Sequence, residues 1–348
     1  MNKKGHIEIH SKQKLDVYKK YLEAYLSIMM NVSYCKDIFI VEPFAGSGIS
    51  ENKKNGSAVI AKNVINSVST SIKEDKTIYL YLNEYKKDYH DSLVKNVGPD
   101  EKTIKIYNKE ANEFITNILN MVTNRRHKFF FIDPWGYTQI DKNTYTRLFE
   151  AAKLDFLIFI PIYHIYRFLR KEEDAHQLTP IANFLSDIGI NENDAKKSST
   201  IEDFAEKIRS AVSHKARTEY AYYKILKNVK SNSRYALFFS TKHILGAEKF
   251  LEALEQIKEK DLFENTISDQ DSAFIKTISA YKKLTNCDLY KFGILNSLLS
   301  KKVNIILTNF EKNGKIEVIS MITKRRKGNF YIGYKYYGKP PKLEIVSK

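Results

Sequence analysis

The sequence predicts a doubly wound α/β fold on a mostly parallel sheet, followed by a smaller, basic winged-helix-like domain. Three observations predict it. A β-branched and aromatic run, Ile38-Phe39-Ile40-Val41, ends in Glu42 and leads into a turn carrying Gly46 and Gly48. Five such short apolar runs alternate with helical patterns up to Pro161. Beyond about residue 270 both the pattern and the charge balance change.

Taken in order, Leu15, Tyr18, Leu22, Tyr25 and Met29 recur at helical spacing between lysines, so residues 11 to 30 form an amphipathic helix laid on the sheet. Lys14, just before that stripe, is either a solvated lysine or a cation reaching a ligand carboxylate near the glycine turn. The first strand reads as a buried parallel strand, and its glycines let the backbone turn tightly and approach a ligand. A helix follows over Ala58 to Val68 with Ser57 as its N-cap. The second strand, Ile78 to Leu82, ends on Asn83-Glu84, and a helix from Tyr89 to Val97 is closed by Gly98-Pro99. Thr103 to Tyr107 is the third strand, followed by the polar stretch Asn108 to Asn112 and a helix from Glu113 to Val122. Lys128 to Ile132 is the fourth, ending in Asp133-Pro134-Trp135-Gly136-Tyr137, and Phe156 to Pro161 the fifth. Right-handed crossovers make such an alternation a parallel sheet with helices on both faces.

Residues 162 to 217 read as a polar helical insertion that flanks a substrate cleft, with His164, Arg167, Arg170, Lys171 and His176 as surface residues. Tyr220 to Leu226 and Tyr235 to Ser240 form an antiparallel hairpin closing the sheet, and Ala247 to Lys258 a helix, so the first domain spans 1 to 262. In the second, residues 268 to 348, two helical segments within Ser272 to Ser300 and a third in Lys302 to Asn309 precede two strand-like runs, Lys315 to Ile322 and Asn329 to Tyr337. The tip between those runs carries Lys324, Arg325, Arg326 and Lys327, suited to phosphate contacts.

The 348 residues carry a net charge of +16, and from Asp271 to Lys348 there are 16 lysines and arginines against 5 aspartates and glutamates. A lysine-rich genome bias would spread the charge evenly. The concentration in the tail points instead to a polyanionic partner, with nucleic acid, DNA or RNA, foremost. Cys35 and Cys287 are far apart and make neither a disulfide framework nor a metal site. No apolar run reaches the roughly 18 to 20 residues of a membrane helix, and the first residues lack a secretory apolar segment, so a cytoplasmic location is expected.

Every polar candidate falls at the carboxyl end of a strand, where open α/β sheets bind ligands. Glu84 is placed to accept both hydroxyls of a ribose. Glu110 and Asn112 offer edges for a base such as adenine, or act as helix caps. Asp-Pro-aromatic at the end of the fourth strand suits methyl transfer to an exocyclic amine. The Asp133 carboxylate accepts a hydrogen bond from the NH2 and raises its nucleophilicity, and Pro134 fixes the turn. Trp135 stacks on a base that a duplex must first flip out. The bland alternative is a tight turn around a buried Trp135, the single tryptophan.

Glu42-Pro43-Phe44-Ala45-Gly46-Ser47-Gly48 resembles motif I of amino-methyltransferases that use S-adenosylmethionine, particularly the adenine-N6 group. Over about residues 10 to 260 the chain more closely resembles the three-Cys-motif partner family, TcmP. The likeness is carried by the Lys14 to Tyr25 helix, Gly56-Ser57-Ala58, Asn83-Glu84, Asn108 to Asn112, Asp133-Pro134-Trp135-Gly136, and Phe238 to His243 with Gly246. The resemblance implies a class I methyltransferase-like Rossmann fold and S-adenosylmethionine binding, with Glu42, Pro43, Phe44, Gly46 and Gly48 admitting the donor. It also implies a separate bacterial protein partner in a mobile-element or anti-phage defence setting. One departure stands out: amino-methyltransferases usually carry Asp/Asn-Pro-Pro-aromatic, whereas here Trp135 directly follows Pro134, which leaves Tyr137 as an alternative stacking residue. The rival expectation is an inactive methyltransferase-fold subunit that binds nucleic acid within a complex.

Overall fold

A computed structural model of the chain describes residues 9–50, 52–69, 76–100, 102–169, 175–227, 233–257, 264–322 and 325–347. Arg170, Lys171 and Lys324 lie outside the described residues. The chain divides into two compact units, Met1–Lys242 and His243–Lys348.

The first unit is doubly wound around a seven-stranded sheet in the order β3-β2-β1-β4-β5-β7-β6. Its strands are β1 Asp37–Glu42, β2 Thr77–Asn83, β3 Ile104–Tyr107, β4 His127–Ile132, β5 Leu154–Ile160, β6 Tyr220–Lys227 and β7 Arg234–Thr241. The first five are parallel, and β7 runs antiparallel to both β5 and β6, as the predicted closing hairpin requires. The chain starts at β1 in mid-sheet, builds outward to β3, then returns to the other side of β1 as β4. That reversal opens a crevice above the carboxyl ends of β1 and β4.

Alternate residues of the central strands enter different cores. Phe39, Val41, Phe130, Phe156 and Ile158 pack with Phe114, Ile115 and Ile118 of α4 (Ala111–Met121) and with α6 Ile162–Leu169, α7 Ala175–Ile188 and α9 Ile201–Ala216. The stretch predicted as an insertion therefore supplies core helices, because its apolar positions face the sheet. Facing the other way, Phe129 and Phe131 meet α1 (Ile9–Asn31). Tyr18 stacks on Phe131 with ring centres 4.1 Å apart, and Tyr21 and Tyr25 lie 5.1 and 5.6 Å from Phe129. The helix thus runs antiparallel to β4. Four residues of helix, about 6 Å, lead from Tyr18 back to Lys14. Two residues of strand, about 6.6 Å, lead from Phe131 on to Asp133. The two rises match, and Lys14 arrives at Asp133.

At the opposite end of the sheet, two lysines are buried as caps. Lys76 Nζ donates to the carbonyls of Met29, Val32 and Cys35 at 3.0, 2.6 and 2.8 Å, closing the end of α1. Lys128 Nζ donates to Thr123 and Arg126 carbonyls at 3.1 and 2.9 Å, and burial lowers its pKa to about 8.

The second unit begins earlier than the 262–268 boundary read from sequence, so α10 (Ile244–Gln256) groups with the C-terminal elements. These are α11 Glu264–Ser279, β8 Lys283–Thr285, α12 Asn286–Leu295, α13 Ser300–Lys312, β9 Ile316–Ser320 and β10 Leu343–Ser347, with an antiparallel sheet ordered β8-β10-β9. Thr285 and Asp288 form a capping box that starts α12. The strand expected over Asn329 to Tyr337 is instead irregular. Tyr331 and Gly333 have φ of 53° and 147°, and Tyr334–Tyr336 is a single 3-10 turn. The partner of β9 is β10, pairing Leu343 with Ser320. Asn286 anchors the long connection, donating to the Tyr331 carbonyl at 3.2 Å and accepting from the Lys342 N–H at 2.9 Å.

Candidate functional site

Three strand ends meet above the crevice, and the contacts among them follow from the fold. Lys14, 7% exposed, forms an ion pair with Asp133 Oδ2 and lies 4.4 Å from the centre of the Phe159 ring. Beside this pair is Glu42, the last residue of β1, which is fully buried. The Tyr18 hydroxyl donates to Glu42 Oε1 at 2.6 Å, while Oε2 is buried with no partner in hydrogen-bonding geometry. Burial pushes the Glu42 carboxyl up to about 7 against the pull of the Ser57 and Tyr18 side chains; Asp133 adds to the rise and Lys14 opposes it.

The glycine turn is held by the end of β2. Gly46, in the left-handed region at φ 63°, donates its N–H to Glu84 Oε2 at 3.0 Å, and Lys86 N–H donates to Oε1 at 2.9 Å. Glu84 is 4% exposed, and each of its oxygens keeps a further lone pair. The two turn glycines serve different ends. A Cβ built at Gly46 meets nothing within 4 Å, so the backbone is bare toward open space. One built at Gly56 would lie 2.9 Å from the Gly48 carbonyl oxygen, so that glycine is required by packing; one at Gly48, itself at φ 78°, would press on Leu93 Cδ1 at 3.2 Å. Ser57 is the first residue of α2 (Ser57–Ser69), one position inside the cap expected there.

Asn83, half of the Asn83-Glu84 pair that carries part of the family resemblance, is fully buried and rivets three strand ends. Its Nδ2 donates to the Pro43 and Lys109 carbonyls at 3.1 and 3.0 Å, and its Oδ1 accepts from the Lys109 N–H at 3.0 Å. A buried amide directly before an acid at a strand end was the available signal. Glu110 caps α4, accepting from the Asn112 and Glu113 N–H groups at 2.8 and 3.1 Å. Asn112 donates to the Gln139 carbonyl and accepts from the Asp141 N–H at 3.0 Å, tying the loop after β4 to α4. Phe44 is half-buried against the core, and Pro43 and Pro134 are buried.

Trp135 is not the buried residue of a tight turn: it is 66% exposed. Tyr137 is the inward-packed one, meeting Phe184 edge-on at 5.5 Å and His164 at 6.0 Å, and burial raises its pKa. Of the two candidate stacking residues, the tryptophan and not the tyrosine is turned to solvent. Among the described residues no group of His, Cys, Asp or Glu is arranged to hold a metal ion, and no helix is long and apolar enough to cross a membrane.

In the second unit, Arg325 is not a free tip cation. Its guanidinium pairs bidentately with Glu311 at 2.7 and 2.9 Å, and its Nε donates to the Asn329 carbonyl at 3.0 Å. The pairing holds the Glu311 carboxyl below its usual range. Arg326 and Lys327 are exposed.

No family model matches the chain, and no curated protein matches it. Among solved structures, protein LPL1258 from Legionella pneumophila is 14% identical, over 70% of this chain and 91% of its own, with a TM-score of 0.43. The O-methyltransferase TomG from Streptomyces achromogenes, in complex with SAM, is 10% identical over 64% of this chain and 79% of its own, TM-score 0.34. An O-methyltransferase from Bacillus cereus, in complex with SAH, is 11% identical over 64% and 80%, TM-score 0.32. At these scores the likenesses assign neither ligand nor substrate to this chain.

Proposed function

We propose that the chain is an S-adenosylmethionine-dependent methyltransferase acting on an exocyclic amine of a nucleic-acid base. What supports this reading is strand order: β2, β1 and β4 are neighbours at the reversal of the sheet, Gly46 is bonded to Glu84 past the ends of β1 and β2, and Asp133, paired with Lys14, follows β4. The residues fit the group. Bare backbone at Gly46 admits an adenosyl moiety, Glu84 keeps lone pairs for ribose hydroxyls, and Glu110 and Asn112 border the same strand ends. Bound S-adenosylmethionine would supply an electrophilic methyl, so positioning rather than acid–base machinery furnishes most of the rate. Asp133 orients the amine by accepting one of its hydrogen bonds. Lys14 pairs with Asp133 and shares its charge with a donor carboxylate. Trp135 lies where a base can stack.

The C-terminal element order α11-β8-α12-α13-β9-β10, with its net positive charge, supports a winged-helix-like module that holds the nucleic acid through Arg326 and Lys327. The TcmP-like motifs support a separate bacterial protein partner in a mobile-element or defence setting.

Incubation with tritiated S-adenosylmethionine and, in turn, total RNA, genomic DNA and lysate protein tests the reading. Label should enter nucleic acid and be lost in Asp133→Ala while donor affinity persists. Label in protein alone, or undiminished turnover in Asp133→Ala, overturns it. The Lys14–Asp133 ion pair favours a second reading, a non-catalytic nucleic-acid-binding subunit whose key carboxylate is permanently engaged. Calorimetry separates the two, because that reading expects no heat of donor binding.

A further inference from the structure

Past the ends of β2 and β4, Lys86 and Tyr89 join Trp135 in a cation–aromatic stack that base stacking by Trp135 alone does not explain. The rings of Tyr89, in α3 (Lys87–Val97), and Trp135 lie 6.1 Å apart at 27°. Lys86 Nζ lies 5.1 Å from the Trp135 ring centre and 5.5 Å from that of Tyr89. Tyr85, the neighbour of Lys86, is 69% exposed. Its carbonyl and that of Glu84 accept from Asn108 Nδ2 at 2.8 and 2.7 Å, so the segment presenting these side chains is held in place.

Single exposed aromatics are ordinary, but here two rings and a lysine stack together, Trp135 past the end of β4 and Lys86 and Tyr89 past the end of β2, with the exposed Tyr85 next to Lys86 in sequence. Their position is also telling: Lys86 is two residues past Glu84, and Trp135 two past Asp133. Lysine is depleted at protein–protein interfaces, whereas aromatic rings interleaved with cations are how single strands are held, each base having a face to stack and each phosphate a charge to meet. A duplex hides those faces.

We propose that this platform binds an unpaired nucleic-acid strand, with bases lying on Trp135 and Tyr85 and Lys86 meeting the adjoining phosphate. The substrate of the crevice is then a single-stranded or looped region, not an intact duplex. The substrate statement rests on the methyltransferase reading; the binding does not, and is measured without donor.

The chain's one tryptophan makes the test direct. Wild-type protein is titrated with 12-mer oligoadenylate as RNA and as DNA, and with a 12-base-pair duplex, following tryptophan emission and the anisotropy of a labelled strand. We expect saturable quenching by one or both single strands and none by duplex. Tyr85→Ala and Lys86→Glu should each weaken single-strand binding about tenfold, as expected for loss of one stack or one phosphate contact. Trp135→Phe should retain most of the affinity that Trp135→Ala loses, with circular dichroism confirming that each variant folds. Single-strand binding without quenching, equal quenching by duplex, no binding at all, or variants that bind as wild type would each overturn the platform. Quenching retained while label transfer fails would overturn the chemistry and leave the platform standing.

Discussion

Replacing Glu42 by glutamine should stabilise the protein at pH 8 and leave it almost unchanged at pH 4.5. Glu42 is fully buried, Tyr18 satisfies one oxygen, and burial lifts the carboxyl from its ordinary 4.5 to about 7. A raised acid pKa means the folded state holds its proton more tightly than the unfolded chain does. Below the unfolded value both states are protonated and nothing is lost. Between 4.5 and about 7 the unfolded carboxyl ionises while the folded one keeps its proton, so unfolding is increasingly favoured; above about 7 both are ionised and the loss is complete. At about 1.4 kcal/mol per pH unit, the interval from 4.5 to about 7 amounts to about 3 kcal/mol. Glutamine keeps the acceptor for Tyr18 and removes the titration. The assay is urea unfolding of wild type and Glu42→Gln at half-unit steps from pH 4.5 to 8.5. Asp155, also buried, is lifted to about 6 beside the Tyr21 hydroxyl, but it titrates in both proteins and cancels in the difference. The difference should grow by about 3 kcal/mol in favour of Glu42→Gln, most of it between pH 5 and 7. A difference that stays flat across the range, or that favours wild type at pH 8, refutes the reasoning.

Gly46→Ala should cost only about 1–2 kcal/mol, the left-handed penalty, since its Cβ meets nothing, yet calorimetry should show donor affinity lost. Gly56→Ala should destabilise by about 1–3 kcal/mol in urea, because its Cβ is driven against the Gly48 carbonyl. Arg325→Ala, which breaks the bidentate pair with Glu311, should cost about 1.5–3 kcal/mol, seen as faster amide exchange in β9 and β10 with β1 unaffected.

The alternation of apolar runs and helical patterns made the first sheet legible, because buried parallel strands and their crossover helices each have a period of their own. The strand ends were legible for the same reason: Asn83-Glu84 and Asp133 directly follow apolar runs. Charge was less transparent. Lys14, Lys76 and Lys128 count toward the +16, yet all three are buried on carbonyls or on a carboxylate. Counting lysines cannot distinguish a cap from a patch, since the distinction lies in which helix end the side chain meets. The C-terminal connection misled for a related reason. Asn329 to Tyr337 has strand-like composition, but Gly333 and the positive φ at Tyr331 interrupt extension, and Asn286, distant in sequence, decides where the segment is anchored.

The antiparallel run of the first helix along the fourth strand makes the helix a ruler with an angular scale as well as a linear one. One residue inserted between Lys14 and Tyr18 would leave the tyrosines seated on Phe129 and Phe131 but turn the ammonium by about 100° around the axis. The carboxylate at the end of the fourth strand would then stand unneutralised in an intact fold. Its ion pairing is thus governed by the phase of a helix more than a hundred residues upstream, and length changes there should alter chemistry before they alter stability.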